Sequence, residues 1–241
     1  MTRLPRSFGA LAGLMLLSAC LVTPGRFDSS LDIRADGQFT FSYKGEILAA
    51  DSMKDGVIPP GMGGEDDADG ATAGPALLQI AAKQDDFPSG KAGDETDMRA
   101  IADALSKEKG FRSVRYLGSR KFAIDYAVSG RLTHAFLFPF NTDAQIILPF
   151  VAVELRGDDR VRVKAPGFSN GFDKSQGPAG MAGGNDAAKA LDGRFTLTTD
   201  AEIVSQNQED GARTVPAGRQ IVWTITPATS DAPAASLRLQ R

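Results

Sequence analysis

Apolar and polar residues alternate along much of this chain, and a period of two residues predicts β-strands with one buried face. The strongest case is a pair of alternating runs, 29–34 and 38–47, which flank Asp36-Gly37. Because Asp-Gly favours the tight turns that join antiparallel strands, these runs predict a β-hairpin. Shorter alternating runs predict further strands at 113–118, 121–128, 160–164, 194–204, 220–225 and 236–239.

One segment, about residues 95–109, has the period of a helix instead. Its apolar residues recur at intervals of three and four, which places them on one helical face: Met98, Ile101, Ala102 and Leu105. Gly110 follows, and glycine readily adopts the left-handed conformation that ends many helices. Strands and helices do not alternate along the chain. The expected fold class is therefore α+β, a mainly antiparallel β-sheet with one principal helix packed on it.

Two glycine-rich segments interrupt this pattern, at about 50–93 and 166–186. Both are rich in turn-forming residues, and the first also carries an acidic run at 65–69. Segments of this composition bury too little apolar surface to stay fixed on a core. We therefore predict mobile insertions within a single β-rich domain that spans residues 29–241.

The first twenty residues have the organisation of a secretory signal. Two arginines precede an apolar run at 8–17, which is shorter than the roughly 20 residues that a membrane-spanning helix needs. The segment ends in Leu17-Ser18-Ala19-Cys20, which resembles the lipobox of bacterial lipoproteins. In that family the peptide is cut before the cysteine and the thiol is acylated. The resemblance implies a signal peptide at 1–19, lipidation of Cys20 and a short tether at 20–28.

Cysteine content and charge agree with an exported, lipid-anchored protein. Cys20 is the only cysteine, so acylation would leave no reactive thiol in an oxidising compartment. The 27 basic and 30 acidic residues give a net charge of −3, which argues against nucleic acid as a partner. Leu21 follows the cysteine, whereas an aspartate there tends to retain enteric lipoproteins at the inner membrane. The family resemblance thus implies anchoring in the outer membrane, with the domain facing the periplasm.

A second resemblance concerns the order of elements rather than a diagnostic motif. The layout of LppM-type envelope lipoproteins is similar to this chain in four features: the predicted acylated cysteine, the hairpin around Asp36-Gly37, the helix that ends at Gly110, and the late strand with Val222-Trp223-Thr224-Ile225. This resemblance implies an envelope lipoprotein with a lipid-facing or partner-facing β-domain. It carries over no functional residue.

The most apolar part of the mature chain is a pair of runs at 136–140 and 146–151, each containing a proline. They predict a hairpin with little polar alternation. One interpretation is a central hairpin buried on both faces. The other is an apolar surface or cavity that binds a lipid tail or an envelope partner, with these candidate residues: Phe136, Phe138, Phe140, Ile147 and Phe150.

Two short motifs give weaker evidence for catalytic or metal chemistry. Gly167-Phe168-Ser169-Asn170-Gly171 matches the Gly-x-Ser-x-Gly of a nucleophile elbow, but the only histidine, His134, precedes it. The acidic run at 65–70 matches the first half of a calcium-binding EF-hand loop, but Ala76 stands where a bidentate glutamate is needed. We therefore predict no metal and no cofactor.

The expected function is non-catalytic binding of an apolar ligand or of an envelope partner. A hydrolase with an unrecognised site and a structural subunit of an envelope complex are the alternatives. An enzyme would have a cleft with converging titratable groups, whereas a binding protein would have an apolar cavity or patch.

Replacing the predicted lipid attachment residue tests the anchor directly. We expect Cys20→Ser to abolish incorporation of labelled palmitate and to release the protein from membranes, because no other residue offers a thiol. Ser18→Ala is the matched control, since it changes the same segment and keeps the thiol. Unchanged membrane association of the Cys20→Ser protein would show that the lipobox resemblance is misleading.

Overall fold

The computed structural model describes residues 22–49, 92–139, 149–170 and 189–240. In chain order the elements are β1 (Val22–Ile33), β2 (Gln38–Ala49), α1 (Ala92–Leu105), β3 (Phe111–Gly118), β4 (Lys121–Arg131), β5 (Phe136–Phe138), β6 (Val151–Arg156), β7 (Arg160–Lys164), a 3-10 helix (Pro166–Phe168), β8 (Asp192–Thr199), β9 (Glu202–Gln206), β10 (Arg213–Val215), β11 (Gly218–Ile225) and β12 (Ala234–Arg238). Cys20, nearly all of the first predicted insertion and most of the second lie outside the described residues.

The described strands form two sheets. The larger sheet has seven strands in the order β10-β11-β8-β1-β2-β4-β3, and the smaller has five in the order β5-β6-β7-β12-β9. The helix α1 contacts the edge strand β3 and buries Met98, Ala102 and Leu105. Strands thus dominate and the described ranges contain one α-helix, which confirms the predicted fold class at this coarse level.

The helix spans Ala92–Leu105, whereas the predicted range was about 95–109. It therefore begins and ends earlier than predicted. After Leu105 the chain forms a tighter, 3-10-type turn, in which the Glu108 amide donates to the carbonyl three residues earlier, at Leu105, instead of four. Gly110 then turns the chain with a φ of +98°. A Cβ at this glycine would lie 2.5 Å from the Tyr126 ring, so both conformation and space require glycine.

The predicted N-terminal hairpin is present as β1 and β2, which pair antiparallel. However, β1 begins at Val22, and the predicted tether at 20–28 is therefore wrong for its described part. Val22 and Phe27 are buried in the core, and β2 pairs with β1 as far as Val22. Pro24-Gly25 lies at an irregularity of register within the strand.

A series of aromatic rings fills the space between the two sheets. Phe27 of β1 stacks on Phe168 of the 3-10 helix, with ring centroids 4.2 Å apart. The Tyr43 ring of β2 lies 5.0 Å from the Phe138 ring of β5. The buried Tyr43 hydroxyl donates a hydrogen bond to the Glu46 carbonyl. Further ring contacts continue the series through Phe41, Phe150, Phe195 and Trp223. Residues of both sheets therefore build one core.

Phe27 reaches this core because the strands on both sides carry glycine opposite it. Gly45 of β2 and Gly193 of β8 both pair with Phe27. A Cβ on Gly45 would lie 2.5 Å from the Phe27 Cβ, and a Cβ on Gly193 would lie 2.5 Å from the Phe27 carbonyl oxygen. Neither position admits a side chain without displacing β1.

The predicted second insertion begins too early. Phe168 falls within its predicted bounds, yet its ring is fully buried and stacks on Phe27. Gly167 packs against Phe150, where a Cβ would lie 2.6 Å from the Phe150 Cα. The residues up to Asn170 are thus part of the core region, and 171–188 lie outside the described residues.

Two features of connectivity differ from the prediction. First, β1 and β8 pair in parallel, so the larger sheet is mixed rather than antiparallel throughout. Second, the run at 194–204 forms two strands, because the chain leaves the larger sheet after Thr199 and joins the smaller sheet as β9. The Thr199 hydroxyl stabilises this crossing by donating to the Ile33 carbonyl at 2.6 Å and accepting from the Ala201 amide at 3.0 Å.

Truncating a central ring tests the proposed core. We expect Phe138→Ala to lower the free energy of unfolding by about 3–5 kcal/mol, because the side chain is buried and a cavity would remain between the sheets. Leu117→Ala is the control, since Leu117 is 47% exposed and its loss should cost about 0.5 kcal/mol or less. Urea unfolding followed by Trp223 fluorescence measures both. Equal effects of the two substitutions would contradict this core.

Candidate functional site

The described part of the predicted aromatic surface lies inside the protein. Phe138 and Phe150 are 1% and 0% exposed, and Phe136 is half-buried at the edge of the same cluster. Phe138 and Phe150 are therefore core residues and not parts of an apolar surface, because their rings complete the contact between the sheets. Phe140 and Ile147, the other two candidates, lie outside the described residues.

Ser169 does not have the geometry of a nucleophile elbow. It follows the 3-10 helix Pro166–Phe168 and has an extended backbone, with φ −145° and ψ 155°, rather than a strained strand-to-helix turn. Its hydroxyl donates to the Pro166 carbonyl at 3.0 Å. The exposed His134 is instead hydrogen-bonded to the Thr133 hydroxyl at 2.9 Å. Ser169 and His134 thus do not form a nucleophile and base pair.

Within the four described ranges, histidine, cysteine, aspartate and glutamate side chains form no group of three or more that could hold a metal ion. The acidic run at 65–70 lies outside those ranges. None of the described helices combines the length and the apolar composition needed to cross a membrane.

A groove of about 300 Å³ lies on the smaller sheet, and three arginines are among its eight lining residues. We call it the basic groove. Its exposed or half-buried lining residues are Arg156, Arg160, Arg162, Val204, Ser205 and Ser236, and its buried ones are Val161 and Leu237. It opens on the outer face, away from the aromatic core.

The strand β7 explains why arginines line this face. Val161 and Val163 are 1% and 0% exposed, whereas Arg160, Arg162 and Lys164 are exposed. Because side chains alternate between the two faces of a sheet, burying the valines directs the three cations outward. The run Arg-Val-Arg-Val-Lys carries this signal in the sequence, although the alternation by itself indicates only a strand.

Neighbouring strands extend the cationic face. Arg156 of β6 lies directly opposite Arg160, and Ser236 of β12 lies opposite Arg162. The pairing of β12 with β9 shifts register after Ser236, and Val204 is left at this irregularity with 47% exposure. The groove therefore places an apolar side chain beside a row of arginines.

The charges of the groove are only partly compensated. Arg156 donates to Glu154 at 3.0 Å, and this bond, with the nearby charges of Arg156, Arg162 and Lys164, outweighs burial and lowers the pKa of Glu154. Within the ranges the structure describes, no carboxylate forms an ion pair with Arg160 or Arg162. A cationic surface with few internal partners attracts anions from solution.

A second charged cluster lies at the end of the larger sheet where β1 begins. Glu46 of β2 accepts a hydrogen bond from Arg26 at 3.2 Å and lies 3.5 Å from the Lys121 Nζ. Burial raises the pKa of Glu46, but the Arg26 hydrogen bond and the Lys121 charge outweigh this, and the pKa is lowered overall. The cluster links β1, β2 and β4 close to Val22.

Comparisons with known proteins include a weak likeness to a solved structure. No protein-family model matches the sequence, and no curated protein matches it. Among solved structures, the chain is similar to the NMR structure of the folded domain of LppM from Mycobacterium tuberculosis, with 16% identity and a TM-score of 0.34, over 91% of this chain and 92% of that chain. A similarity this weak does not assign a family or an activity.

The Glu46 cluster predicts a pH effect on stability. A carboxylate whose pKa is lowered by folding stabilises the native state above its unfolded pKa, and this contribution is lost as the pH falls through the folded pKa. We expect Glu46→Gln to remove about 1 kcal/mol or less near neutral pH, and we expect this deficit to disappear as the pH falls through the lowered pKa of Glu46. Urea unfolding across this range measures it, with the exposed Glu209→Gln as control. A deficit that persists at low pH would contradict the assignment.

Proposed function

We propose that this protein is a lipid-anchored, periplasm-facing protein of the bacterial outer membrane, and that it binds an anionic envelope partner through the basic groove without catalysis. The groove is the observation that carries this proposal. The partner's contact segment presents clustered carboxylates, which the arginines bind, next to an apolar side chain that packs on Val204.

The spacing of the arginines supports a carboxylate-bearing partner. Arg160 and Arg162 project from one face of β7 roughly 7 Å apart, and Arg156 lies about 5 Å across the sheet from Arg160. Each guanidinium offers a planar fork of donors that matches a carboxylate in two parallel hydrogen bonds. An extended acidic segment, whose side chains repeat at the same distances, can engage several of these forks at once.

An apolar ligand has less support than a partner segment. The rings of Phe138 and Phe150 already contact aromatic residues of the opposite sheet, so a lipid tail would have to displace them. Such displacement would sacrifice packing between the sheets, which is costly in a close-packed interior. The basic groove, by contrast, is open in the folded protein.

The membrane anchor rests on the N-terminal sequence. The lipobox-like Leu17-Ser18-Ala19-Cys20 follows a signal-like apolar run. Leu21 in place of aspartate favours the outer membrane under the retention rule of enteric lipoproteins. Two or three acyl chains would hold the domain stably, since each buried methylene contributes about 0.8 kcal/mol.

Reversing two groove charges tests the binding proposal. We expect Arg160→Glu with Arg162→Glu to weaken binding of a fluorescent polyglutamate peptide at least tenfold, about 1.4 kcal/mol, measured by anisotropy at low salt. Glu154→Gln should strengthen binding, because it removes the carboxylate that competes for Arg156. Added salt should weaken binding of the peptide both to the unmodified protein and to the Glu154→Gln variant.

A matched control separates the groove from net charge. Arg112→Glu with Arg115→Glu makes the same change in charge at exposed positions of β3, in the other sheet. This variant should bind polyglutamate as the unmodified protein does. An equal loss in both double variants would mean that overall charge, not the groove, attracts the peptide, and would overturn the proposal.

A further inference from the structure

We propose that the turn joining β3 and β4 docks on the headgroup region of the bilayer in which the protein is anchored, through anionic phospholipids. We call this turn and its flanks the docking tip and define it as residues 117–121. The inference rests on the proposed lipid anchor at Cys20, and it assigns a membrane-contacting surface to the folded domain itself.

The first argument is the distance between the anchor and the sheet. Val22, the first residue of β1, is two residues after Cys20, so an extended connection spans about 7 Å at most. A chain of this length cannot lift the domain away from the membrane. The end of the larger sheet at which β1 starts must therefore lie against the headgroups.

Strand register places the docking tip at that same end. Val22 pairs with Ala49 at the end of β2, and Leu48 pairs with Lys121 at the start of β4. The Ala49 amide donates to the Arg120 carbonyl at 2.9 Å, which joins β2 directly to the tip. With β2 alone between β1 and β4, the tip lies roughly 10 Å from the line of β1.

The side chains of the tip suit a membrane interface. Leu117 and Val204 are the exposed large hydrophobic residues of the described ranges, and each is 47% exposed. Arg120 and Lys121 follow Leu117 across the turn. The hairpin of β3 and β4 as a whole, residues 111–131, carries five cationic side chains and one carboxylate. An exposed leucine flanked by cations complements anionic headgroups over an apolar interior.

The backbone of the tip is held in an unusual conformation. Ser119 and Arg120 have φ values of +50° and +57°, in the left-handed region that glycine, asparagine or aspartate would normally occupy in such a turn. The Arg120 amide donates to the Tyr116 hydroxyl, and the Tyr116 hydroxyl donates to Glu95 of α1. These contacts fix the direction in which the tip projects. Glycine at positions 119 and 120 would relieve this backbone strain, but arginine at position 120 places a cation at the tip.

The second exposed hydrophobic residue provides a matched internal control. Val204 lies in β9 on the outer face of the smaller sheet, among the groove arginines. It has the same exposure as Leu117 and also lies beside cations, but belongs to the other sheet and is not joined to the start of β1. A membrane contact that depends on the anchor should distinguish these two positions.

Labelling the two positions tests the proposal on the full-length lipoprotein. Leu117→Cys and Val204→Cys each introduce one thiol for a bimane probe, because an acylated Cys20 cannot react. The proteins are reconstituted into vesicles of phosphatidylcholine and phosphatidylglycerol that contain brominated lipids. We expect several-fold stronger quenching of the probe at Leu117→Cys than at Val204→Cys. Adding Arg120→Glu should reduce that quenching. Vesicles that keep the brominated lipid but lack phosphatidylglycerol should reduce it as well.

The outcomes separate the docking tip from the anchor on which it rests. Equal or absent quenching at the two positions, with acylated Cys20 confirmed by mass spectrometry, would overturn the docking tip and leave the anchor standing. A labelled Cys20, seen by mass spectrometry in protein that does not stay with the vesicles, would overturn the proposed anchor and the docking tip together. Circular dichroism of each variant confirms that the fold is retained.

Discussion

The packing of aromatic rings between the two sheets is the constraint on which the rest of the structure depends. Phe27 extends this packing from the larger sheet. Glycines in both neighbouring strands leave space for β1 at Phe27, and the Phe27 ring stacks on Phe168, which lies outside that sheet. Stacked and tilted ring pairs contribute about 0.5–1.5 kcal/mol beyond the apolar area that they bury. Because the inner faces are committed to this contact, any binding chemistry of the described residues falls on outer faces and strand ends.

The core and the proposed binding surfaces are therefore two sides of the same strands. In β7, the valines that close the core also determine that Arg160, Arg162 and Lys164 face outward. In the β3–β4 hairpin, Phe122 and Ile124 are buried while Lys121 is partly exposed and the neighbouring Leu117 is exposed. A substitution that shifted either register by one residue would exchange the two faces, and would destroy packing and surface charge at the same time.

Local patterns predicted the local elements well. The Asp36-Gly37 hairpin and the principal helix were recognised because their signals lie within one stretch of chain. The parallel pairing of β1 with β8 could not be predicted in this way, since its partners are far apart in sequence. The crossing at Thr199 was missed for a related reason: period-two alternation continues through it, and only tertiary hydrogen bonds reveal it. The basic groove was missed because the alternation in Arg160–Lys164 indicates only a strand, and because Arg156 joins these arginines from another strand.

The position of β1 in the middle of the larger sheet has a consequence for the order of folding. Because the chain is synthesised from its N-terminus, β1 is the first of the described strands to emerge, and β2 can cover one of its edges at once. The other edge must wait for β8, whose Thr199 bonds to Ile33 across 166 residues of sequence. Contacts of such separation form slowly. Until they form, one edge of the first described strand stays open to unwanted partners, and the chain is most exposed to mispairing during this interval.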